Sequence, residues 1–389
     1  MPSGKVVIEN LYKIFDPRPG DALALLKQGV KKETVFAQTG KVVGVNDVSF
    51  TVKEGEIFVL MGLSGSGKST LIRLINRLVD PSDGKIFVDG QDVAKLTSRQ
   101  LLQLRRSDMS MVFQSFALMP HRNVLDNTAF GLEIAGVRRA EREARAGKVL
   151  EQVGLGPYAK KYPHQLSGGM QQRVGLARAL AVNPSLMLMD EAFSALDPLK
   201  RKEMQGLLLN LQSEQRRTII FVSHDLEEAL RIGNRIAIME GGRLVQVGTP
   251  QEIIENPADD YVRAFFKSVD TSRYLVAADL MDSAGIPVLT KGQARGGQVA
   301  WQPWLAFVNQ DRKWIGLINA DVLAACNDPH QAVLPEHAAV SETTCLRDIL
   351  PQLMKHPAPL AVLDSGGAYL GVITAASALR KISLGANHA

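Results

Sequence analysis

The chain predicts an α/β fold in two parts: a larger domain over residues 1–271 built on a largely parallel sheet, and a smaller α/β domain over 272–389. Three observations predict it. The apolar run EIFVLM at Glu56–Met61 enters the glycine-rich loop GLSGSGKST at Gly62–Thr70, which opens the helical pattern Leu71, Ile72, Leu74, Ile75, Leu78. Short apolar runs at 185–190 and 217–223 alternate with helical periodicity at 141–153 and 170–182, as buried strands alternate with covering helices. Beyond a change of composition at Tyr261–Arg273, one short pattern occurs twice.

Taken in order, residues 5–15 (KVVIENLYKIF) alternate like a strand. The segment Asp16–Gly40 interrupts with the breaker run DPRPG, reads in its middle as one or two short helices, and ends in QTG. A strand pair is expected at Val42–Val52, and Glu54-Gly55-Glu56 turns into the strand before the glycine loop. Strand and helix then alternate to about residue 240, as in βαβ units. In the second part, Lys313–Ala325 and Ala368–Lys381 each run aromatic, apolar, glycine, two apolar residues and a short helix. Each follows an apolar strand, Trp304–Val308 and Leu360–Leu363, and Gly316 and Gly371 stand 55 residues apart, as two small paired βαβ-type units would require.

Apolar content of 46% and charged content of 22% are those of an ordinary globular protein. No run of 18 apolar residues offers a bilayer span, and MPSGKVVIEN lacks the apolar core of a secretory signal. Cys326 and Cys345 are far apart with no metal-site spacing, and read as reduced thiols in a cytosolic protein. From Ser272 onward there are nine Lys/Arg and nine Asp/Glu, so the whole excess of +5 lies before that point. A nucleic-acid binder more often shows a clustered basic stripe, so no nucleic-acid partner is expected. The excess suits a nucleotide site and an anionic membrane surface nearby.

The chemistry begins at the loop. Gly62, Gly65 and Gly67, with Ser64 and Thr70 beside them, let consecutive N–H groups curl around phosphate oxygens at a helix N-terminus. Lys68 would reach the β- and γ-phosphates, and Ser69 would join a Mg²⁺ shell. Phosphoryl transfer to water also needs a second metal-side group and a base. In SLMLMDE at 185–191 the strand ends in Asp190, suited to Mg²⁺, and Glu191 follows as candidate general base. LSGGM at 166–170 opens a second helix with Ser167 as N-cap and Gly168 and Gly169 leaving N–H groups open to an anion. With the first loop already holding one end of the nucleotide, this second cradle makes sense if two copies face head to tail, each serving the other's ATP.

GLSGSGKST, VFQ at 112–114, LSGGM, LMLMDE, SALD at 194–197 and SH at 223–224 follow in the order and spacing of the ABC transporter ATPase subunit, which the chain resembles over roughly residues 5–265. The resemblance implies ATP and Mg²⁺ as cofactors and an ATP-hydrolysing homodimer. It makes Gln114 similar to the glutamine that senses Mg²⁺ and the membrane partner, Asp197 to the aspartate crossing the dimer, and His224 to the histidine contacting the γ-phosphate. Phe15, or alternatively Tyr12, looks like the aromatic on which adenine stacks. Met170 stands where glutamine is commonest, while the phosphate-facing Ser167, Gly168 and Gly169 are intact.

A finer resemblance is to the glycine betaine/proline betaine importers, carried by the Asp16–Gly40 insertion, the segment VFQSFALMPHRNVLDNTAFGLE at 112–133 and a carboxy-terminal pair resembling CBS repeats. It implies transmembrane permease subunits docked at Phe113–His121 (Phe116, Leu118 and Met119 its exposed apolar residues), an indirect solute-binding protein, and a peripheral place on the cytoplasmic face of the cell membrane. Adenosine-binding CBS pairs commonly place an aspartate after the glycine strand. Here the second repeat has Ser377 there and the first has Asp321 one residue early, which leaves an ionic-strength or small-ligand sensor and a structural dimerisation module both open. The rival readings are an importer ATPase for choline or proline, a soluble ABC ATPase of translation or repair, and a ligand sensor in which hydrolysis is secondary.

Overall fold

The computed structural model describes residues 4–115, 117–266, 272, 275–290, 303–326, 329–334, 339–355 and 358–386. Phe116 and the side chain of Cys326 lie outside the described residues. The chain forms two units, Met1–Ile253 with Pro257–Val262, and Ile254–Asn256 with Arg263–Ala389. The helix Asp260–Phe266 contains the point, after Val262, at which the two units divide.

The first unit opens with β1 (Val6–Phe15), then α1 (Gly20–Lys27) and α2 (Lys32–Thr39), then β2 (Val42–Val52). β2 is one strand and not the expected pair; it runs antiparallel to β1, with a left-handed residue at Asp47 and register shifts along the ladder. With β4 (Asp83–Val88) and β5 (Gln91–Asp92) these strands make a four-stranded sheet in the order β2-β1-β4-β5. Between them lie β3 (Ile57–Met61) and α3 (Lys68–Ile75), and after them α4 (Ser98–Ser107), β6 (Met109–Val112), α5 (Val124–Ile134) and α6 (Arg139–Gln152). The unit continues with α7 (Gly168–Ala181), β7 (Leu186–Asp190), α8 (Pro198–Gln215), β8 (Thr218–Ser223), α9 (Leu226–Ile232), β9 (Arg235–Glu240), β10 (Arg243–Gly248) and α10 (Pro250–Glu255).

A second sheet of six strands runs β10-β9-β3-β8-β7-β6, and all its pairs are parallel except β9 with β10. The strands β3, β7 and β8 are buried at every position, which is why they read as unbroken apolar runs. One core joins Val6, Ile8 and Val48 of the first sheet, Leu71 and Ile72 of α3, and Leu60, Leu188 and Val222 of the second. The insertion helices have their own small core, in which Ala22, Leu26 and Val35 pack on Tyr12 and Ile14.

α11 (Asp260–Phe266) crosses into the second unit, which holds α12 (Ala277–Leu280), β11 (Val288–Thr290), β12 (Trp304–Val308), β13 (Trp314–Asn319), α13 (Ala320–Cys326), β14 (Ala339–Ser341), α14 (Leu346–Lys355), β15 (Leu360–Leu363), β16 (Tyr369–Ile373) and α15 (Ala375–Ala386). Two three-stranded sheets, β11-β12-β13 and β14-β15-β16, each pair one parallel and one antiparallel neighbour, so the sequence repeat is a repeat of structure. Trp314 of one repeat stacks on Tyr369 of the other with ring centroids 5.6 Å apart. Burial pushes the Tyr369 hydroxyl up to about 12, with Asp282 adding to the rise.

Candidate ATP-hydrolysis site

The sheet order places the ends of β3, β7 and β8 side by side, with Met61 opposite Ser223 and Asp190 opposite Val222. Everything that follows these three strands in sequence therefore converges. The loop after β3 is shaped by glycines: Gly67 has φ +99°, and a methyl there would lie 2.4 Å from the Gly44 carbonyl. Gly62 is equally enclosed, with the Met239 carbonyl 2.3 Å from where its Cβ would be. Lys68 is buried inside this bend, donating to the carbonyls of Gly62 at 2.7 Å and Leu63 at 2.9 Å. Burial pulls its ammonium below the ordinary lysine range, against the opposing charges of Glu191 and Asp190.

Ser69 donates to Asp190 Oδ1 at 2.8 Å, and Arg73, one turn further along α3, reaches Asp190 Oδ2 at 3.3 Å. A hydroxyl and a buried carboxylate joined in this way are hard oxygen donors, the set that suits Mg²⁺. Among the described residues no cluster of three or more His, Cys, Asp or Glu is placed to hold a metal ion.

Glu191 sits in the left-handed region at φ 47°, its N–H bonded to Val222 and its carbonyl accepting from the Ser194 hydroxyl at 2.9 Å. That turn aims its Oε2 at two further groups. Gln114, just beyond β6, donates to Oε2 at 3.2 Å, and His224 Nδ1, just beyond β8, stands 3.4 Å from the same oxygen. Lys68, Ser69, Asp190, Glu191, Gln114 and His224 thus form one constellation.

Ser167, Gly168, Gly169 and Asp197 stand outside that constellation, with no bond to it among the described residues. Ser167 caps α7 by accepting from Met170 N, and Asp197 caps α8 by accepting from Lys200 N. The Lys200 N–H holds the Asp197 carboxyl below the usual range. A cleft of about 240 Å³ opens here, with Ser167, Gly169, Arg173 and Lys200 in its walls.

Phe15 is half exposed and its ring lies over Gly44, where a methyl would come within 2.7 Å of it and 3.2 Å of Thr70. Tyr12 is 6% exposed and packs into the core of the insertion. Of the two, Phe15 is the exposed ring, with the Lys13 ammonium 5.3 Å from its centroid. Around Phe113–His121 the expected exposed apolar surface is smaller than foreseen: Leu118 and Met119 are half-buried. The cause is Asn127, fully buried on α5, which accepts from Met119 N and donates to the Met119 and Arg122 carbonyls. Arg178 adds a bond to the Ala117 carbonyl at 2.6 Å.

Arg73 and a buried set behind His224 carry no short-motif signal. Arg73 is an ordinary basic residue on α3, and only the fold brings it to Asp190. In the second unit, Ser377 spends its hydroxyl locally, donating to the Thr374 carbonyl and accepting from Thr374 N, both at 3.0 Å.

The ABC transporter family profile matches residues 45–194. The glycine betaine/proline betaine transport system ATP-binding protein ProV of Escherichia coli is 47% identical, with 97% of each chain covered. The glycine betaine/carnitine transport ATP-binding protein GbuA of Listeria monocytogenes is 45% identical over 97% of this chain and 98% of that one. A dimeric ATP-binding cassette solved in a post-hydrolysis state bound to ADP and Pi superposes with a TM-score of 0.54 at 31% identity, covering 63% of this chain and 98% of that chain. With the phosphate loop, the paired Ser69 and Asp190 and the Glu191 turn assembled on one sheet edge, and relatives alike from end to end, the chain belongs to the ABC transporter family as one of its ATP-binding proteins.

Proposed function

We propose that the chain is the ATP-hydrolysing subunit of an importer for glycine betaine, proline betaine or a related quaternary amine. It works as a homodimer on transmembrane permease subunits at the cytoplasmic face of the cell membrane. The full-length likeness to proteins named for these solutes supports the substrate class. No described helix is long and apolar enough to cross a membrane, so movement of solute falls to partner subunits.

The observation that carries the hydrolytic reading is the meeting of Gln114 and His224 on one oxygen of Glu191, beside the Ser69–Asp190 pair. In this reading the glycine loop and Lys68 bind the β- and γ-phosphates. Ser69, Asp190 and Gln114 would hold Mg²⁺, which would supply charge neutralisation at those phosphates. Glu191 takes the proton of the attacking water at Oε2, and His224 orients the water and the γ-phosphate. Phe15 stacks on adenine. Ser167, Gly168, Gly169 and Asp197 serve the nucleotide held by the other copy, so ATP favours a closed pair through contacts made only there. The docking loop pinned by Asn127 carries the motion through Gln114 to the permease.

The second unit is read as a CBS pair that regulates uptake. Ser377, engaged with Thr374, leaves it without the usual ribose aspartate, so regulation by ionic strength is favoured over adenosine binding.

Glu191→Gln tests the hydrolytic reading. Turnover should fall by about 10²-fold or more while ATP affinity stays and an ATP-dependent dimer accumulates. Hydrolysis at the unaltered rate would remove Glu191 from its role.

A further inference from the structure

Behind His224 lies a buried polar assembly whose glutamine, glutamate and arginines stand outside the motifs. Ser223, immediately before the histidine, donates to Glu228 Oε2 at 2.5 Å, and Gln205 on α8 donates to Glu228 Oε1 at 3.1 Å. Gln205 Oε1 in turn accepts from Arg231 at 3.2 Å. Asp225, immediately after the histidine, donates its N–H to Ser223 Oγ at 3.0 Å. Its carboxylate accepts from Arg201 at 2.7 Å, and Arg201 also reaches the Ser194 and Leu196 carbonyls at 3.4 Å. Ser223, Gln205 and Glu228 are each less than a tenth exposed.

Of the residues flanking His224, Asp225 is therefore bound directly to α8 through Arg201, and Ser223 reaches α8 through Glu228 of α9 and Gln205. Arg201 and Gln205 lie four and eight positions beyond Asp197, so they share one face of the helix that Asp197 caps. A carboxylate is a costly group to bury, and here it is matched to donors on both oxygens. The arrangement fixes the backbone of the histidine turn relative to the helix that begins at the dimer-facing aspartate.

We infer that Gln205 and Glu228 are positioning residues for His224, holding its turn against α8 so that Asp197 and His224 move as one piece. The inference rests on the role given to His224 in hydrolysis. It also accounts for a buried glutamate that touches no substrate.

The full-length chain tests it through an exchange of the two side chains. In E228Q alone, the amide keeps its carbonyl toward Gln205 by turning its NH₂ to Ser223 Oγ, which accepts it and turns its own proton to the Asp225 carbonyl, 3.2 Å away, so this variant is the milder of the two. In Q205E alone, two carboxylates face each other out of water. In the double exchange Q205E/E228Q, the amide at 228 accepts from Ser223 and donates to the carboxylate at 205, which still accepts from Arg231. Q205E should lower kcat about tenfold or more with the KM for ATP within about twofold, E228Q should lower it less, and the exchange should bring kcat back to within about threefold of the parent. Two results overturn the inference: a Q205E that hydrolyses at the parent rate, or an exchange no better than Q205E. A kcat that merely follows melting temperature across the four proteins, with KM rising alongside, overturns it too. Normal activity in Q205E while E191Q is dead would sink this inference alone. An E191Q that still hydrolyses would sink the hydrolytic reading itself.

Discussion

At the scale of single residues, the site depends on backbone shapes that one added carbon would spoil. Gly67 holds a left-handed φ with the Gly44 carbonyl against it, so Gly67→Ala must push β2 away from the glycine loop. ATP binding should weaken by tenfold or more (~1.4 kcal/mol) in equilibrium titration. Gly65, with open space around it, should show less steric effect and only the cost of its positive φ. A second residue-scale prediction concerns Glu228. Burial raises its carboxyl above the ordinary glutamate value, with bonds from Ser223 and Gln205 acting the other way. The folded state then binds this proton more readily than the unfolded chain. The group's stabilising contribution is complete below the unfolded pKa and is lost as pH rises through the raised folded value. Denaturant melts of wild type and E228Q at pH 5 and pH 7 should show the wild type gaining relative to the variant at the lower pH. A difference that stays flat across that window would mean the carboxyl keeps its ordinary titration.

At the scale of elements, the insertion has a small core separate from the main core of the first unit. Its helices bury only a few side chains, chiefly Ala22, Leu26 and Val35, against the end of β1. Leu26→Ala removes the largest of these, and a core truncation of this kind costs ~2–5 kcal/mol where the surroundings cannot close in. Because α1 and α2 lie outside the main core, the loss should appear as local opening. Amide exchange should quicken over residues 20–39 and stay slow in β3 and β8. Exchange quickening equally in all of them would mean the insertion folds as part of the central core. The same contrast explains what could be read from sequence. β3, β7 and β8 are buried on both faces and announce themselves as apolar runs, and the groups that follow them sit within a few residues of each strand end. β2 was misread as a pair because Asp47 takes a left-handed conformation in mid-strand and breaks the alternation that marks a single strand. The antiparallel sheet it joins pairs residues far apart in sequence. Arg73, Gln205 and Glu228 were illegible for a related reason: each is an ordinary polar residue on a helix until the packing of α3 on β7, or of α8 on α9, supplies its partner.

At the scale of the whole molecule, the chain divides into two units with separate cores. Every residue of the hydrolytic constellation lies before Val262, and its core draws on none of the residues of the second unit. The second unit has separate cores of its own, one around Leu275, Leu346 and Ile373 and another that joins both repeats through Ala306, Leu317 and Val372. Two bodies with independent cores need not melt together. A chain ending at residue 271 should therefore fold, bind ATP and hydrolyse it within about threefold of the full-length rate, since no group proposed for phosphoryl transfer is removed. The tail's proposed part is control, and charge balance makes it suited to ionic strength, because opposite charges at a surface lose their attraction as salt shortens the screening length to about 8 Å near physiological strength. With permease present in vesicles, the full-length chain should change its rate as internal salt is raised from low to physiological strength, and the shortened chain should not. A shortened chain that responds like the full-length one would place the sensor in the first unit or in the permease. One that cannot hydrolyse despite folding would show that the second unit completes the motor.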